Sequence, residues 1–167
     1  MIDCKQRYDN TLKAIGVNGL QLKRNYGNLM RTDEPWYKDG LKFKCTQCGN
    51  CCTGEPGYVW VTEKEMQAIS DFTKEPLEEV KQLRARKAKG RYTLREKANG
   101  DCVYLSESKG CTIYEIRPVQ CRTWPFWEST VGTPEDWEET KKVCPGSGQG
   151  DLISSEEITM RLKRLRL

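Results

Sequence analysis

Phe43-Lys44-Cys45-Thr46-Gln47-Cys48-Gly49-Asn50-Cys51-Cys52 is the stretch on which the fold turns. It spells C-x2-C-x2-C-C. A C-x2-C step lets two thiolates on one tight turn converge on a metal, because the backbone between them turns its N–H groups toward sulfur. Three cysteines at two such steps resemble the opening of a bacterial ferredoxin run. The stretch departs from that run: Cys52 directly follows Cys51, and no proline comes after it. The C-x3-C-x2-C spacing of a radical SAM enzyme is missing as well.

Outward from this cluster, the cysteines continue at Cys102, Cys111, Cys121 and Cys144, with Cys4 far upstream. Turn signals adjoin several of them: Asn99-Gly100-Asp101 before Cys102, Gly110 before Cys111, Pro145-Gly146 after Cys144. Eight loop-borne thiols would fill two four-sulfur sites. Neighbouring residues of extended backbone point to opposite sides. Cys51 and Cys52 are therefore expected to serve different sites, interleaved along the chain. A lone cysteine is more often a small buried hydrophobe than a ligand, but four within Cys45–Cys52 are a ligand pattern.

The rest of the composition narrows the chemistry. The 167 residues include nine cysteines and no histidine. A Ser-His-Asp triad, a Cys-His pair and a His general base are excluded, as are Cys/His zinc fingers, HExxH zincins and two-His facial triads. Thr62, Ser106 and Ser129 have no partner base, which leaves nucleophilic serine chemistry unsupported. Hydrophobic residues make up 37% and charged residues 31%, with a mean hydropathy of −0.77. So thin a core would gain from a metal, whose binding free energy becomes folding free energy. A purely structural metal is thus a reading beside a functional one. The formal charge of +4 is too mild to point to nucleic acid. Eight thiolates around two dications would bring it to neutrality.

Pattern and punctuation predict a small α+β domain, irregular and loop-rich, organised around its cysteines. A helix is expected through Tyr8–Ile15, then a strand over residues 40–44 and a loop over Cys45–Gly57. A strand follows over 58–61. Thr62 and Glu65 form a capping box that opens a helix with Met66 and Ile69 inward. Pro76 opens a second helix over 76–88 that carries the basic run 81–89. Cys102-Val103-Tyr104-Leu105 reads as a strand, and residues 112–122 as a helical stretch with Pro118 inside it. Thr133-Pro134 starts a helix to about Lys142. The last helix follows Ser154 or Ser155 and carries the basic segment 161–166. Three segments result: an N-terminal helical or irregular extension (1–40), the cysteine-cluster domain (41–150), and that domain's C-terminal helix (151–167). Without an apolar leader or a membrane-length run, a cytoplasmic location with reduced thiols is expected. The basic segments read as solvated faces.

Two halves of the sequence together resemble a known family. Phe43-x-Cys45-x-x-Cys48-Gly49-x-Cys51-Cys52, followed by a Val-rich strand and Thr62-x-x-Glu65, is similar to the YkgJ-type cysteine-cluster family. Its CxxCxxCC domain is described as zinc- or iron-chelating. Cys102-Val103-Tyr104-Leu105 and Gly110-Cys111-Thr112-Ile113-Tyr114-Glu115-Ile116-Arg117-Pro118-Val119-Gln120-Cys121-Arg122-Thr123-Trp124-Pro125-Phe126 resemble its second signature. The resemblance implies Cys45, Cys48, Cys51, Cys52, Cys102, Cys111, Cys121 and Cys144 as metal ligands, with Cys4 a bystander. Some relatives are described as iron–sulfur oxidoreductases, and a flagellin lysine N-methylase holds a similar cluster. No SAM-binding glycine motif supports carrying methylation over.

The expected function is iron coordination as an iron–sulfur cluster, [4Fe–4S], with a redox or cluster-dependent role. If the protein is an enzyme, it would be an iron–sulfur-dependent oxidoreductase. Arg117 and Arg122 flank Cys121 and would offset the negative charge of the thiolates or donate to sulfur, while Trp124, Phe126 and Trp127 would exclude water. The alternative is a zinc-stabilised, non-catalytic module that holds a protein partner through its basic helices or aromatic segment. Spacing alone suits both metals.

Overall fold

The computed structural model describes residues 34–54 and 57–165. Cys4, the helix expected over Tyr8–Ile15, and Leu167 lie outside them. The fold is α+β, as expected, with two small sheets. Strand β1 (Leu41–Phe43) pairs antiparallel with β5 (Asp151–Ile153), so residues on either side of the cysteine-bearing span meet as Leu41↔Ile153 and Phe43↔Asp151. The second sheet has the order β2-β4-β3, from β2 (Trp60–Val61), β3 (Ala85–Ala88) and β4 (Arg91–Leu94).

Helix α1 (Glu63–Thr73) starts where its sequence says. Thr62 Oγ1 accepts from Glu65 N–H at 3.2 Å, and the Glu65 carboxylate accepts from Thr62 N–H at 2.8 Å. Its Met66 and Ile69 are fully buried, each contributing about 1.5–3 kcal/mol of apolar burial. They pack with Val61, Val80, Ala85, Leu94, Tyr104 and Ile113 in one core. A second core gathers Leu41, Phe126, Val131, Trp137 and Ile158. It is built by α3 (Glu128–Val131), α4 (Pro134–Val143), α5 (Ser155–Arg164) and β1. Thr133 and Asp136 cap α4 reciprocally, with proline in its first turn, and Ser154 caps α5. Between the cores lies the short α2 (Val119–Thr123), opened by Pro118.

Two expected elements are replaced. The helix over 76–88 is only one turn, Leu77–Glu79, running into a π-helical turn, Val80–Arg84. From Ala85 the chain is a strand, paired Ala85↔Leu94 through Ala88↔Arg91. Lys89 and Gly90 turn the hairpin with φ of 50° and 75°. That tight turn places Ala85, and not a helical neighbour, against Leu94 in the core, so pairing overrides helix propensity. The strand over 102–105 is instead two isolated bridges, Glu96↔Cys102 and Leu105↔Cys111, around tight turns. The 58–61 strand shortens to Trp60–Val61. Among the described residues, no helix is long and apolar enough to cross a membrane.

Candidate metal centre

One cavity of about 60 Å³ is lined by Cys45, Cys48, Cys51, Cys52, Cys102, Cys111, Cys121 and Cys144 together. By the space one buried water needs, it has room for roughly four. The thiols come from separate parts of the chain. Cys45 and Cys48 lie on the loop after β1, Cys51 and Cys52 in a 3-10 turn (Asn50–Cys52), Cys121 in α2, and Cys144 at the end of α4. Cys102 and Cys111 each sit on an isolated bridge. All eight are thiols without disulfides. They line the cavity rather than converge: among the described residues, no three His, Cys, Asp or Glu side chains form a tight ion-binding group. The remaining wall is largely apolar or aromatic, with Phe43 from one core and Leu94, Tyr104 and Ile113 from the other. The donor set, all sulfur with no imidazole, fits zinc or iron–sulfur chemistry.

The backbone explains why these loops meet. Gly49 caps the 3-10 turn at φ 77°. A Cβ there would stand 2.6 Å from the Lys109 carbonyl oxygen, so only glycine lets the loop lie against the 106–110 turn. Cys102 N–H donates to the Cys52 carbonyl at 2.8 Å, tying the first cysteine cluster to the second. Lys44 N–H donates to the Gly146 carbonyl at 3.1 Å, and Asn50 Nδ2 donates to the Val143 carbonyl at 3.1 Å. Both hold the Cys144 segment against the motif.

The 3-10 turn corrects the expected separation of Cys51 and Cys52. Their backbone is not extended, and their Sγ atoms are 3.8 Å apart. They belong to one place in the cavity wall. Cys51, the exposed member, is drawn down to about 7 by the hydrogen bond from Cys52, against burial and with help from the Arg117 guanidinium. Cys52 is held far above the ordinary thiol range by the same hydrogen bond and by burial. Burial pushes Cys102 up to about 11, and it also raises Cys111 and Cys121.

Arg117 lines the cavity, whereas Arg122 is exposed and not among the lining residues. The Arg117 guanidinium lies 3.7 Å from the centre of the Tyr114 ring, and its Nε donates to the Tyr114 carbonyl at 2.9 Å. The Tyr114 hydroxyl is hydrogen-bonded to Cys45, which raises its pKa. Trp124 is part of the wall; Phe126 is buried in the second core, and Trp127 lines a neighbouring cavity. Three positioning residues escaped the sequence reading. Gln120 Oε1 accepts from Trp60 N–H at 2.9 Å while its Nε2 donates to the Tyr58 carbonyl at 2.9 Å. Glu65, expected only as a cap, also accepts from Val119 N–H at 2.7 Å, clamping α1 to the helix of Cys121. Asn50 is the third. The only sequence signal for Gln120 is its place beside Cys121.

Comparison with known proteins agrees with this centre. An uncharacterized protein of Methanocaldococcus jannaschii, MJ0661, is 32% identical over 91 residues, which are 54% of this chain and 48% of that protein. The chain thus spans about half the length of that curated relative. No solved structure matches. The model of the CxxCxxCC family, described as "Putative zinc- or iron-chelating domain", matches residues 44–145, a span that contains all eight cavity cysteines. By sequence and by the grouping of its thiols, the chain belongs to the CxxCxxCC family of zinc- or iron-chelating domains.

Proposed function

We propose that the eight-cysteine cavity holds an iron–sulfur cluster, [4Fe–4S], in a redox or cluster-dependent role. The observation that carries this reading is the cavity itself, which leaves about 60 Å³ of space between its thiols. Structural zinc sites are closed around four ligands; an inorganic cluster needs volume between its ligands. Cys45, Cys48, Cys51, Cys52, Cys102, Cys111, Cys121 and Cys144 are the candidate ligands. When bound, such a cluster supplies electron transfer. The chain's own part is electrostatic. Arg117 stands close enough to Cys51 to favour its thiolate, and such a charge raises a cluster's potential. Arg122, exposed beside Cys121, is a further candidate for offsetting thiolate charge. The apolar wall limits water at the sulfurs that lie deeper than the exposed Cys51.

A zinc-stabilised module is the second reading, and one distance favours it. Four thiolates at about 2.3 Å around one tetrahedral ion stand about 3.8 Å apart, the separation of the Cys51 and Cys52 sulfurs. In a cubane, each thiolate serves a different iron. Anaerobic purification with metal and acid-labile sulfide analysis separates the two. Iron and sulfide in matching amounts, with broad visible absorption, are expected; tightly held zinc without sulfide would overturn the cluster reading.

A further inference from the structure

The outer face of the β2-β4-β3 sheet carries a pattern that metal binding does not use. Register sets Trp60 and Arg86 on either side of the fully buried Thr93, while Val61, Ala85 and Leu94 turn to the core. Tyr58 and Trp60 stack with ring centres 4.7 Å apart and planes within 6°. Cations cover this pair. Arg91 lies 4.8 Å from the Trp60 ring centre, and Lys89 and Arg86 lie 5.1 and 5.3 Å from that of Tyr58. Lys89, Arg91 and Arg95 are all exposed. The same face leads into a second cavity, of about 70 Å³, lined by Tyr58, Arg95, Gln120 and Trp127. Cys51 and Cys52 line that cavity as well as the metal-site cavity. The one carboxylate among its lining residues, Glu96, is engaged by the Gly57 N–H at 2.7 Å.

Two stacked rings, with Tyr58 itself buried, flanked by cations and ending in the exposed Arg91 guanidinium are a stacking platform, and the exposed cations beside it match a phosphate backbone. An acidic peptide would use the charges but gain nothing from the ladder of Arg91 on Trp60 on Tyr58. We propose that this face binds single-stranded nucleic acid, with Lys89, Arg91 and Arg95 on phosphates and a base stacked on the Arg91–Trp60 ladder. The strand would run toward the cavity mouth at Cys51. The proposal holds for either metal. Net charge does not point to a nucleic-acid partner because it says nothing of distribution, and a helix over 81–89 would spread that run's cations around its surface. Folded as a hairpin, the run sets two of its cations, Arg86 and Lys89, against the Tyr58 ring.

The test uses the metal-loaded full chain and a fluorescein-labelled oligouridylate of about twelve nucleotides, read by anisotropy between about 50 and 200 mM salt. A double charge reversal, Lys89→Glu with Arg91→Glu, is expected to weaken binding by roughly tenfold or more and to flatten its salt dependence. The same reversal at Lys163 and Arg164 on α5 is expected to change it by less than about threefold. Unchanged metal content and melting temperature certify the fold of both variants. Three outcomes overturn the proposal: no binding at the lowest salt, equal loss in both variants, or equal displacement by polyglutamate of the same charge.

Discussion

Gly49 shows how a single residue can govern the whole centre. At φ 77°, with the Lys109 carbonyl where a Cβ would stand, it lets the 3-10 turn of Cys51 and Cys52 dock on the 106–110 turn. Gly49→Ala is expected to cost about 1–3 kcal/mol in backbone strain and displaced contact. Because the turn carries two of the eight thiols, metal retention should fall with stability. Thermal melts with and without metal check this: the variant should lose more of its melting temperature in the loaded form. The motif does not by itself say why glycine is needed there. The reason lies in a segment sixty residues away, which explains why C-x2-C-x2-C-C was legible as a ligand pattern while its partner surface was not.

Among elements, the helices with strong chemical punctuation were legible in the sequence: α1 through Thr62 and Glu65, α4 through Thr133-Pro134, α5 through Ser154. Local capping decides these, and it is written within four residues. The π-turn and hairpin at 80–94 were not legible. Their formation depends on pairing with β2, which is remote from the run in sequence. The grouping of eight cysteines was likewise expected from type and spacing, but the single shared cavity rests on contacts between elements. Glu65 is the clearest of these, since one carboxylate caps α1 and receives the first N–H of α2. Glu65→Ala should therefore cost about 2–3 kcal/mol, more than an ordinary cap, because Val119 N–H loses its partner. Urea unfolding measures that loss. A chelator competition should show weaker metal binding too, since Cys121 lies two residues beyond Val119.

At the scale of the whole molecule, strong base acts on the metal-free form and acid below neutrality on the loaded form. In the metal-free protein, Cys102 is raised to about 11 from the ordinary 9, chiefly by burial. A raised thiol contributes stability that is complete below pH 9 and is lost as pH climbs from 9 to 11. At two units this is about 2–3 kcal/mol, with Cys111 and Cys121 shifted in the same direction. In the loaded protein the ligands are thiolates, so protons compete with metal and stability is lost as pH falls. Melting temperature should therefore decline above pH 9 for the metal-free form, and below about pH 7, where the Cys51 contribution of the metal-free form is already spent, for the loaded form. Coincident profiles would show that these thiols do not bind the metal. Beneath both forms lies the pairing of β1 with β5, on either side of the cysteine span. It draws a loop of roughly a hundred residues shut at its neck, a closure whose entropy cost grows only slowly with length. The family match, 44–145, falls just inside that neck, and Ile158 of the second core lies beyond it. The span the family model matches thus lies inside this clasp, and the pairing that helps keep the thiols together belongs to its flanks.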